Sequence, residues 1–248
     1  MNRSLPTFIS LPVLVMAAVL AFSNPVKAQL SYGIRRVKKP VTIDANWDKK
    51  AWKKIPEVKI GNPMGKVPAF SPVTTAKVAY DDHHLYLIFK VEDKFVKSTV
   101  TEYNGNVSGD SCVEFFFAPD ETQPLHYFNL EINAGGTPLM FFVTKPWTEF
   151  TPLDNESISQ IQIAHSQPKV VDPEVKAPTT WVIECKIPYE MLKKFSNVTM
   201  PRSGAEWHAN FYKTGSRTSN PHWFTWSPVD FPKPNFHLPE FFGTLKFK

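Results

Sequence analysis

The 248-residue sequence contains only two cysteines and ten glycines, and its basic residues do not gather into a stripe. Two cysteines are too few for a zinc site built from thiolates. Scarce glycine, with no P-loop, dinucleotide fingerprint or nucleophile elbow, argues against loops that cradle phosphates. The formal net charge of +5 is mild, and Lys and Arg are scattered as pairs. That pattern is typical of a solvated surface and argues against nucleic acid as a partner.

Long hydrophobic runs are also missing after the N-terminus. Arg3 precedes an apolar run at residues 9–22, and Val26-Lys27-Ala28 ends in small residues suited to signal peptidase. The pattern predicts a secretory signal at residues 1–28 that is removed from the mature chain. We therefore expect an exported protein, periplasmic or extracellular, with one domain at residues 29–248 and no transmembrane segment in the mature chain.

The two cysteines, Cys112 and Cys185, allow two interpretations. In an exported protein an even pair favours a disulfide. Both residues lie in apolar, strand-like runs, where a buried free thiol is equally ordinary. The sequence leaves both alternatives open.

Aromatic residues and proline are abundant, with 20 Phe, 7 Trp and 23 Pro. Alternating aromatic segments broken by proline-rich turns predict an all-β sandwich. Residues 75–80 and 85–91 predict one hairpin, and residues 127–133 and 139–144 predict a second. Further strands are predicted at residues 111–117, 158–165, 180–187, 206–213, 222–226 and 243–247. Short helices are predicted at residues 48–54 and 188–195, and a loop at residues 168–178.

The strand at residues 111–117 places a carboxylate inside an apolar run. Alternation sends Val113, Phe115 and Phe117 to one face and Cys112, Glu114 and Phe116 to the other. A buried charge needs a partner, so Glu114 is either a ligand-binding group or half of a structural ion pair. Glu131 and Asn133 follow on the predicted neighbouring strand. They share the face of Glu114 if the register allows.

An ordered series of short motifs covers nearly the whole chain after residue 40. The motifs are Val41-Thr42-Ile43-Asp44 with Ala51-Trp52, Ala79-Tyr80-Asp81-Asp82, Val91-Glu92-Asp93, Asp110-Ser111-Cys112-Val113-Glu114, Trp181 with Glu184, Trp207 with Asn210-Phe211-Tyr212, Trp226-Ser227-Pro228, and Phe236-His237 with Pro239-Glu240. In these motifs the sequence resembles the carbohydrate-binding module family 9 domains of the DOMON-like superfamily.

The resemblance implies an immunoglobulin-like antiparallel β-sandwich with one or two short helices. It implies a non-catalytic protein that binds an oligo- or polysaccharide and acts beside secreted glycoside hydrolases in polysaccharide breakdown. No cofactor is implied except a structural calcium ion. Among the aspartates, Asp81, Asp82, Asp93 and Asp110 are the candidates to gather around such an ion.

Family members hold a sugar between two tryptophans, with polar side chains on the hydroxyls. Where the first tryptophan is expected, just before the Asp110 strand, this sequence has Tyr103, which becomes the candidate stacking residue. Trp147 and Trp223 lie in loop-like segments and offer further flat apolar faces, although Trp147 could instead fold back on the core. Arg217 lies in a polar loop and can donate to sugar hydroxyls.

Two other functions are consistent with the sequence. The superfamily includes haem-binding, electron-transferring members, for which Met140 and His208 are candidate ligands. A glycoside hydrolase would need two carboxylates at a defined spacing, and no sequence spacing identifies such a pair.

Overall fold

The computed structural model describes residues 30–248. The predicted signal sequence at residues 1–28 lies outside this range. Within the described range, no helix has both the length and the hydropathy required to cross a membrane.

Short strands account for most of the regular structure in the described chain. The strands are β1 Ser31–Arg36, β2 Val58–Lys59, β3 Asn62–Pro63, β4 Val73–Tyr80, β5 His84–Asp93, β6 Val96–Ser98, β7 Cys112–Ala118, β8 Tyr127–Asn133, β9 Pro138–Lys145, β10 Glu149–Pro152, β11 Gln162–His165, β12 Val171–Val175, β13 Thr179–Pro188, β14 Glu206–Thr214, β15 Trp223–Thr225 and β16 Gly243–Phe247. The helices are α1 Asn155–Ser159 and α2 Tyr189–Leu192, and 3₁₀ turns cover Val107–Gly109 and Pro239–Phe241.

Fourteen of the strands form one curled sheet that folds into two layers, and β6 pairs with β12 in a separate two-stranded sheet. The front layer has the order β10-β9-β8-β7-β14-β16, and the back layer has the order β4-β5-β13-β11. Strand β1 joins them, because Ser31–Ile34 pairs in parallel with β16 while Arg35–Arg36 pairs in parallel with β4. The chain is therefore an all-β sandwich, as the sequence predicted.

The main hydrophobic core lies between the two layers. Val113, Phe115 and Phe117 on β7 point into it, as their alternation predicted. The Phe115 ring stacks on Phe211 of β14 at 4.9 Å between centroids, and Phe211 meets Phe89 of the back layer at 6.3 Å. Each buried aromatic of this size contributes roughly 1.5–3 kcal/mol through removal of apolar surface from water. The outer face of β7 is left for Cys112, Glu114 and Phe116.

Both predicted hairpins are confirmed. Strand β4 pairs with β5 in antiparallel register, and β8 pairs with β9 in the same way. The first turn is held by Asp81, whose Oδ1 accepts from the backbone N–H groups of His83 and His84 at 2.8 Å.

Three predicted elements were wrong in part or in full. The strand expected at residues 158–165 begins only at Gln162, because Asp154 caps α1 by accepting from the Ser157 N–H at 2.7 Å. The helix expected at residues 48–54 is a series of turns, preceded by Asp44 and Asn46 side chains that bond to nearby backbone N–H groups. The loop expected at residues 168–178 contains β12, which pairs with β6.

The disulfide alternative for Cys112 and Cys185 is wrong. Both residues are buried free thiols. Cys185 faces the core between the layers, whereas Cys112 packs with Val107 and Leu139 on the outer side of the front layer. Burial raises the pKa of both thiols, well above the usual value for Cys112, so neither is a ready nucleophile.

These two thiols are expected not to react with a thiol reagent in the native protein. We expect no reaction with Ellman's reagent under native, non-reducing conditions and both thiols to react once guanidinium unfolds the chain. A chain that shows both thiols only after reduction would contradict the free-thiol assignment.

Candidate functional site

A pocket of 150 Å³ opens on the outer face of the front layer, on the side opposite the core. Its floor consists of Glu114 and Phe116 from β7, Glu131 from β8 and Thr214 from β14. Its walls come from Ser108, Ser216, the β9–β10 turn, β15 and the segment Pro234–His237. Three central strands fix the floor, so the polar groups there are held on rigid structure.

A second depression, of 210 Å³, lies near Arg36 and Asp81. It is lined by charged, solvated groups, including an exposed ion pair between Arg36 and Asp82. Such a pair adds little binding energy, and no aromatic residue lines the depression. The pocket on the front layer is therefore the better candidate site, although it is smaller.

Glu114 and Glu131 face each other at the bottom of the front-layer pocket. They are directly opposite in the β7–β8 register, as the sequence allowed. Their carboxylate oxygens lie within 4.8 Å of each other. Glu114 is 2% exposed, and its Oε1 atom has no hydrogen-bond partner. Glu131 accepts a bond from Asn129 Nδ2 at 3.2 Å.

Burial and mutual repulsion change the protonation of this acid pair. Burial, followed by the charge of Glu131, raises the pKa of Glu114 well above its usual range. Burial raises the pKa of Glu131 to about 7, against the opposing effect of hydrogen bonds from Asn129 and Ser108. A raised pKa favours the protonated form, so the pair offers both a hydrogen-bond donor and acceptors to a ligand when one carboxyl holds a proton.

Lys213 is close in sequence to the pocket but points to the other side of the front layer. Its Nζ donates to the Thr214 carbonyl at 2.8 Å and to His222 Nε2 at 2.7 Å, and it lies 3.4 Å from Asp93 Oδ2. Lys213 is fully buried there. Among residues 30–248, no Lys or Arg lines the front-layer pocket.

Aromatic side chains form the walls of the pocket. Trp147 lies at the tip of the β9–β10 turn and is 66% exposed, so it does not fold back on the core. Its backbone has φ of +65°, a strained conformation for a bulky residue. Its ring meets His237 edge-on at 4.5 Å, and Phe236 stacks on Tyr212 at 4.1 Å. Trp223 on β15 is half-buried at the opposite wall.

His237 is a wall residue that the sequence did not identify as part of a site. Its Nδ1 lies 2.7 Å from the Tyr127 hydroxyl. Burial lowers the pKa of His237 to about 4, so the ring is neutral at physiological pH. The sequence signal that could have identified it is the proline-rich aromatic segment at residues 220–239, which must fold against the sandwich.

Three predicted site residues do not line the pocket. Asn133 is occupied at the end of β8, where Nδ2 donates to the Val100 carbonyl at 2.9 Å and to Asp110 Oδ2 at 3.0 Å. Tyr103 is 43% exposed in a separate turn, and Arg217 extends over Gly109 at the surface. A role for these three in ligand binding stays a prediction.

The candidate haem ligands do not converge. Met140 points into the core, whereas His208 lies between the inward-facing residues Trp207 and Ala209 and therefore faces outward. The two side chains are thus on opposite sides of the front layer. They do not form one haem site.

The four candidate calcium ligands do not converge either. Asp81 and Asp93 lie at opposite ends of β5, and Asp93 is paired with Lys213. A structural calcium ion held by these four aspartates is therefore not supported. The potential metal-binding donors that do converge in the described range are Cys112, Glu114 and Glu131, at the pocket floor.

An all-β sandwich with an aromatic-walled pocket on one outer face is the architecture of a ligand-binding module. The sequence profile named Carbohydrate-binding family 9 matches residues 43–247, and the chain belongs to that family. This is a family of non-catalytic binding modules, so the family expectation from the sequence is confirmed.

Solved structures support the fold. A proposed carbohydrate-binding protein from Bacteroides uniformis is similar at 24% identity and a TM-score of 0.79, over 89% of this chain and 100% of that chain. A family 9 module from Caldicellulosiruptor kristjanssonii, in complex with cellotriose, is similar at 15% identity and a TM-score of 0.58, over 88% of this chain and 94% of that chain. A family 9 module from the same bacterium, in complex with glucose, is similar at 15% identity and a TM-score of 0.59, over 88% of this chain and 96% of that chain. No curated protein matches the sequence.

Proposed function

We propose that this protein binds a saccharide, without catalysis, in the pocket above Glu114 and Glu131. The observation that carries the proposal is that two tryptophans line the same pocket as a buried carboxyl oxygen, Oε1 of Glu114, which has no hydrogen-bond partner among residues 30–248. Membership of the carbohydrate-binding family also supports saccharide binding. Two similar solved structures, which contain cellotriose and glucose, support it as well.

Each part of the pocket suits a part of a sugar ring. A pyranose has an apolar CH face that is stabilised against an indole, because both surfaces leave water together. Trp147 and Trp223 supply such faces. The ring hydroxyls need hydrogen-bond partners once they are buried. The acid pair supplies them, since a half-protonated pair both donates and accepts.

The size of the pocket favours a chain end over the middle of a polysaccharide. Its volume of 150 Å³ is well below the roughly 300–1,000 Å³ typical of pockets for drug-sized ligands. The depth accommodates one terminal ring, while further sugar units extend into solvent past Trp147.

The biological setting is part of the proposal. An apolar N-terminal run followed by small residues supports export to the periplasm or cell exterior. There the protein would bring polysaccharide fragments to secreted glycoside hydrolases.

Isothermal titration calorimetry with glucose, cellobiose, cellotriose and xylobiose tests the proposal. We expect binding to at least one of them, and a loss of about tenfold or more in affinity in Trp147→Ala, because an aromatic anchor is removed. Tyr103→Ala is the matched control, since Tyr103 is also an exposed aromatic but lies outside the pocket.

Comparison of the two variants distinguishes the loss of an aromatic residue in the pocket from the loss of any exposed aromatic residue. Tyr103→Ala is expected to bind like the wild type. Equal loss in both variants would contradict the location of the site. No heat with any neutral or charged sugar would contradict saccharide binding altogether.

A further inference from the structure

We infer that the pocket prefers a cationic amino sugar to a neutral sugar, because Glu114 and Glu131 face each other there without any basic side chain beside them. The inference rests on the proposed saccharide site and names its substrate class. It concerns sugars that carry a free amine, such as glucosamine and its β-linked oligomers.

The first step is the position of the two acids. Glu114 and Glu131 are opposed across neighbouring strands, where like charges destabilise a sheet. Glu114 and Glu131 are 2% and 7% exposed, so water screens little of their charge. A buried carboxylate is tolerated only when a partner compensates its charge or a proton removes it. The pair is thus poised to take up a positive charge.

The second step is the identity of the groups that surround the pair. From β7 comes the Cys112 thiol, and from β14 come the Tyr212 phenol and the Thr214 hydroxyl. From the C-terminal segment comes His237, whose lowered pKa of about 4 keeps it neutral. None of these groups is cationic.

The nearest cation in the described chain does not reach the pair as a hydrogen-bond partner. Lys213 adjoins Tyr212 on β14, but its three donors point inward, toward Thr214, His222 and Asp93. It acts on Glu114 only through its charge at a distance. Apart from a proton, the positive charge that compensates the acids at the pocket floor has to come from a ligand.

The third step is the fit of an ammonium group. An ammonium has three N–H donors and no acceptor, which suits a site whose floor offers carboxylate oxygens. One of these, Oε1 of Glu114, is without a partner. The tryptophan walls add to the preference, because the negative face of an indole ring attracts a cation. A neutral hydroxyl in the same place gains neither the ion pair nor this contact.

The same geometry makes binding depend on pH. A proton and an ammonium group compete for the pair, and the pKa of Glu131 is about 7. Affinity for the amino sugar should rise as pH increases through that value, since the acid that must be ionised becomes so. It should fall again once the sugar amine loses its own proton. Neutral sugars have no amine to lose a proton. Their affinity should only fall as pH increases, because the acid pair loses the proton with which it donates a hydrogen bond to them.

Calorimetric titration at about pH 7 with glucosamine, N-acetylglucosamine and glucose tests the preference. The acetylated sugar has the same ring without the charge. We expect glucosamine to bind about tenfold or more tightly than either neutral sugar, because close charge pairs at interfaces couple by at least that much. Its binding at this pH should release protons, seen as a heat that depends on the ionisation enthalpy of the buffer.

Glu114→Gln and Glu131→Gln keep the shape of the floor and remove one charge each. In both we expect the ratio of glucosamine affinity to glucose affinity to fall toward one, with folding checked by circular dichroism. Glu206→Gln, an exposed acid on β14, is the control that should retain the preference. Retention of the preference in both pocket variants would overturn the inference.

Other results would overturn the inference in distinguishable ways. Equal affinity for all three sugars would refute the preference and leave saccharide binding intact. Binding of zinc or calcium alone that requires Glu114 would assign the acid pair and Cys112 to a metal ion instead. No binding of any sugar would refute the proposed function as well.

Discussion

Replacing Glu184 by glutamine is expected to lower the free energy of unfolding by about 3–5 kcal/mol, as measured by guanidinium denaturation. Glu184 lies on β13 and is fully buried. It accepts from the backbone N–H groups of Asp44 and Ala45 at 2.9 and 2.8 Å, from Trp52 Nε1 at 2.8 Å and from Lys49 Nζ at 2.7 Å. Four donors thus converge on one carboxylate.

A glutamine there would place N–H groups against donors and leave Lys49 with the more exposed Asp44 as its charge partner. The N-terminal segment that Glu184 anchors covers the outer face of the back layer with Ile43, Trp47 and Trp52. Loosening it therefore exposes a second hydrophobic cluster to water. Hydrogen exchange should show the segment 41–55 opening earlier than the front layer.

Glu190→Gln is the matched control for this experiment. Glu190 also pairs with a lysine, at 2.6 Å from Lys193 Nζ, but its side chain is 80% exposed. An exposed pair of this type contributes about 1 kcal/mol or less. A Glu184→Gln variant as stable as Glu190→Gln would refute the anchoring role.

Replacing Asp93 by asparagine is expected to cost a similar amount, about 3–5 kcal/mol, because it leaves the buried ammonium of Lys213 without a charge partner. Asp93 and Lys213 are 2% and 0% exposed, at 3.4 Å. The remaining partners of Lys213 are the Thr214 carbonyl and His222, and burial keeps His222 neutral by lowering its pKa to about 3. Neutral His222 can accept from Lys213 but cannot balance its charge.

The pH dependence identifies the mechanism of this loss. Burial already lowers the pKa of Lys213, and Asp93 opposes that effect. Without Asp93 the folded state binds the Lys213 proton less tightly, while the unfolded state binds it normally. Stability of Asp93→Asn should therefore rise with pH above neutral more steeply than that of the wild type.

Adding Lys213→Met to Asp93→Asn should recover part of the lost stability, since it removes the uncompensated charge. Denaturation midpoints of the two single variants and the double variant form the necessary cycle. If Lys213→Met adds its own full cost to that of Asp93→Asn, the two residues act independently and the ion pair has no structural role.

Local alternation predicted most of the fold. The β7 pattern of Val113, Phe115 and Phe117 is sufficient to assign its two faces, because the period of a strand is two residues. Secondary-structure propensity predicted the wrong element where a side chain forms hydrogen bonds with nearby backbone N–H groups. Asp154 caps a helix in a segment that alternates like a strand, and the Asp44 and Asn46 side chains hold turns where a helix was expected.

The structure brings together four of the residues that the sequence singled out. Glu114, Glu131, Trp147 and Trp223 line one pocket. His237 was not foreseen because it reaches the pocket through a long return of the C-terminal segment. Tyr103 was the candidate stacking residue because it stands where the family motifs place the first tryptophan. The turn that holds it lies outside the front-layer pocket. No local signal distinguishes these cases.

The sequence by itself determined that this chain is an all-β member of a carbohydrate-binding family, because period-two alternation and ordered motifs are local properties. The tertiary structure decided which polar groups meet. It opposed Glu114 to Glu131 through strand register, turned Lys213 inward toward Asp93, and separated Cys112 from Cys185. Register and the direction of a side chain depend on contacts between residues far apart in sequence, and those contacts exist only in the folded sandwich.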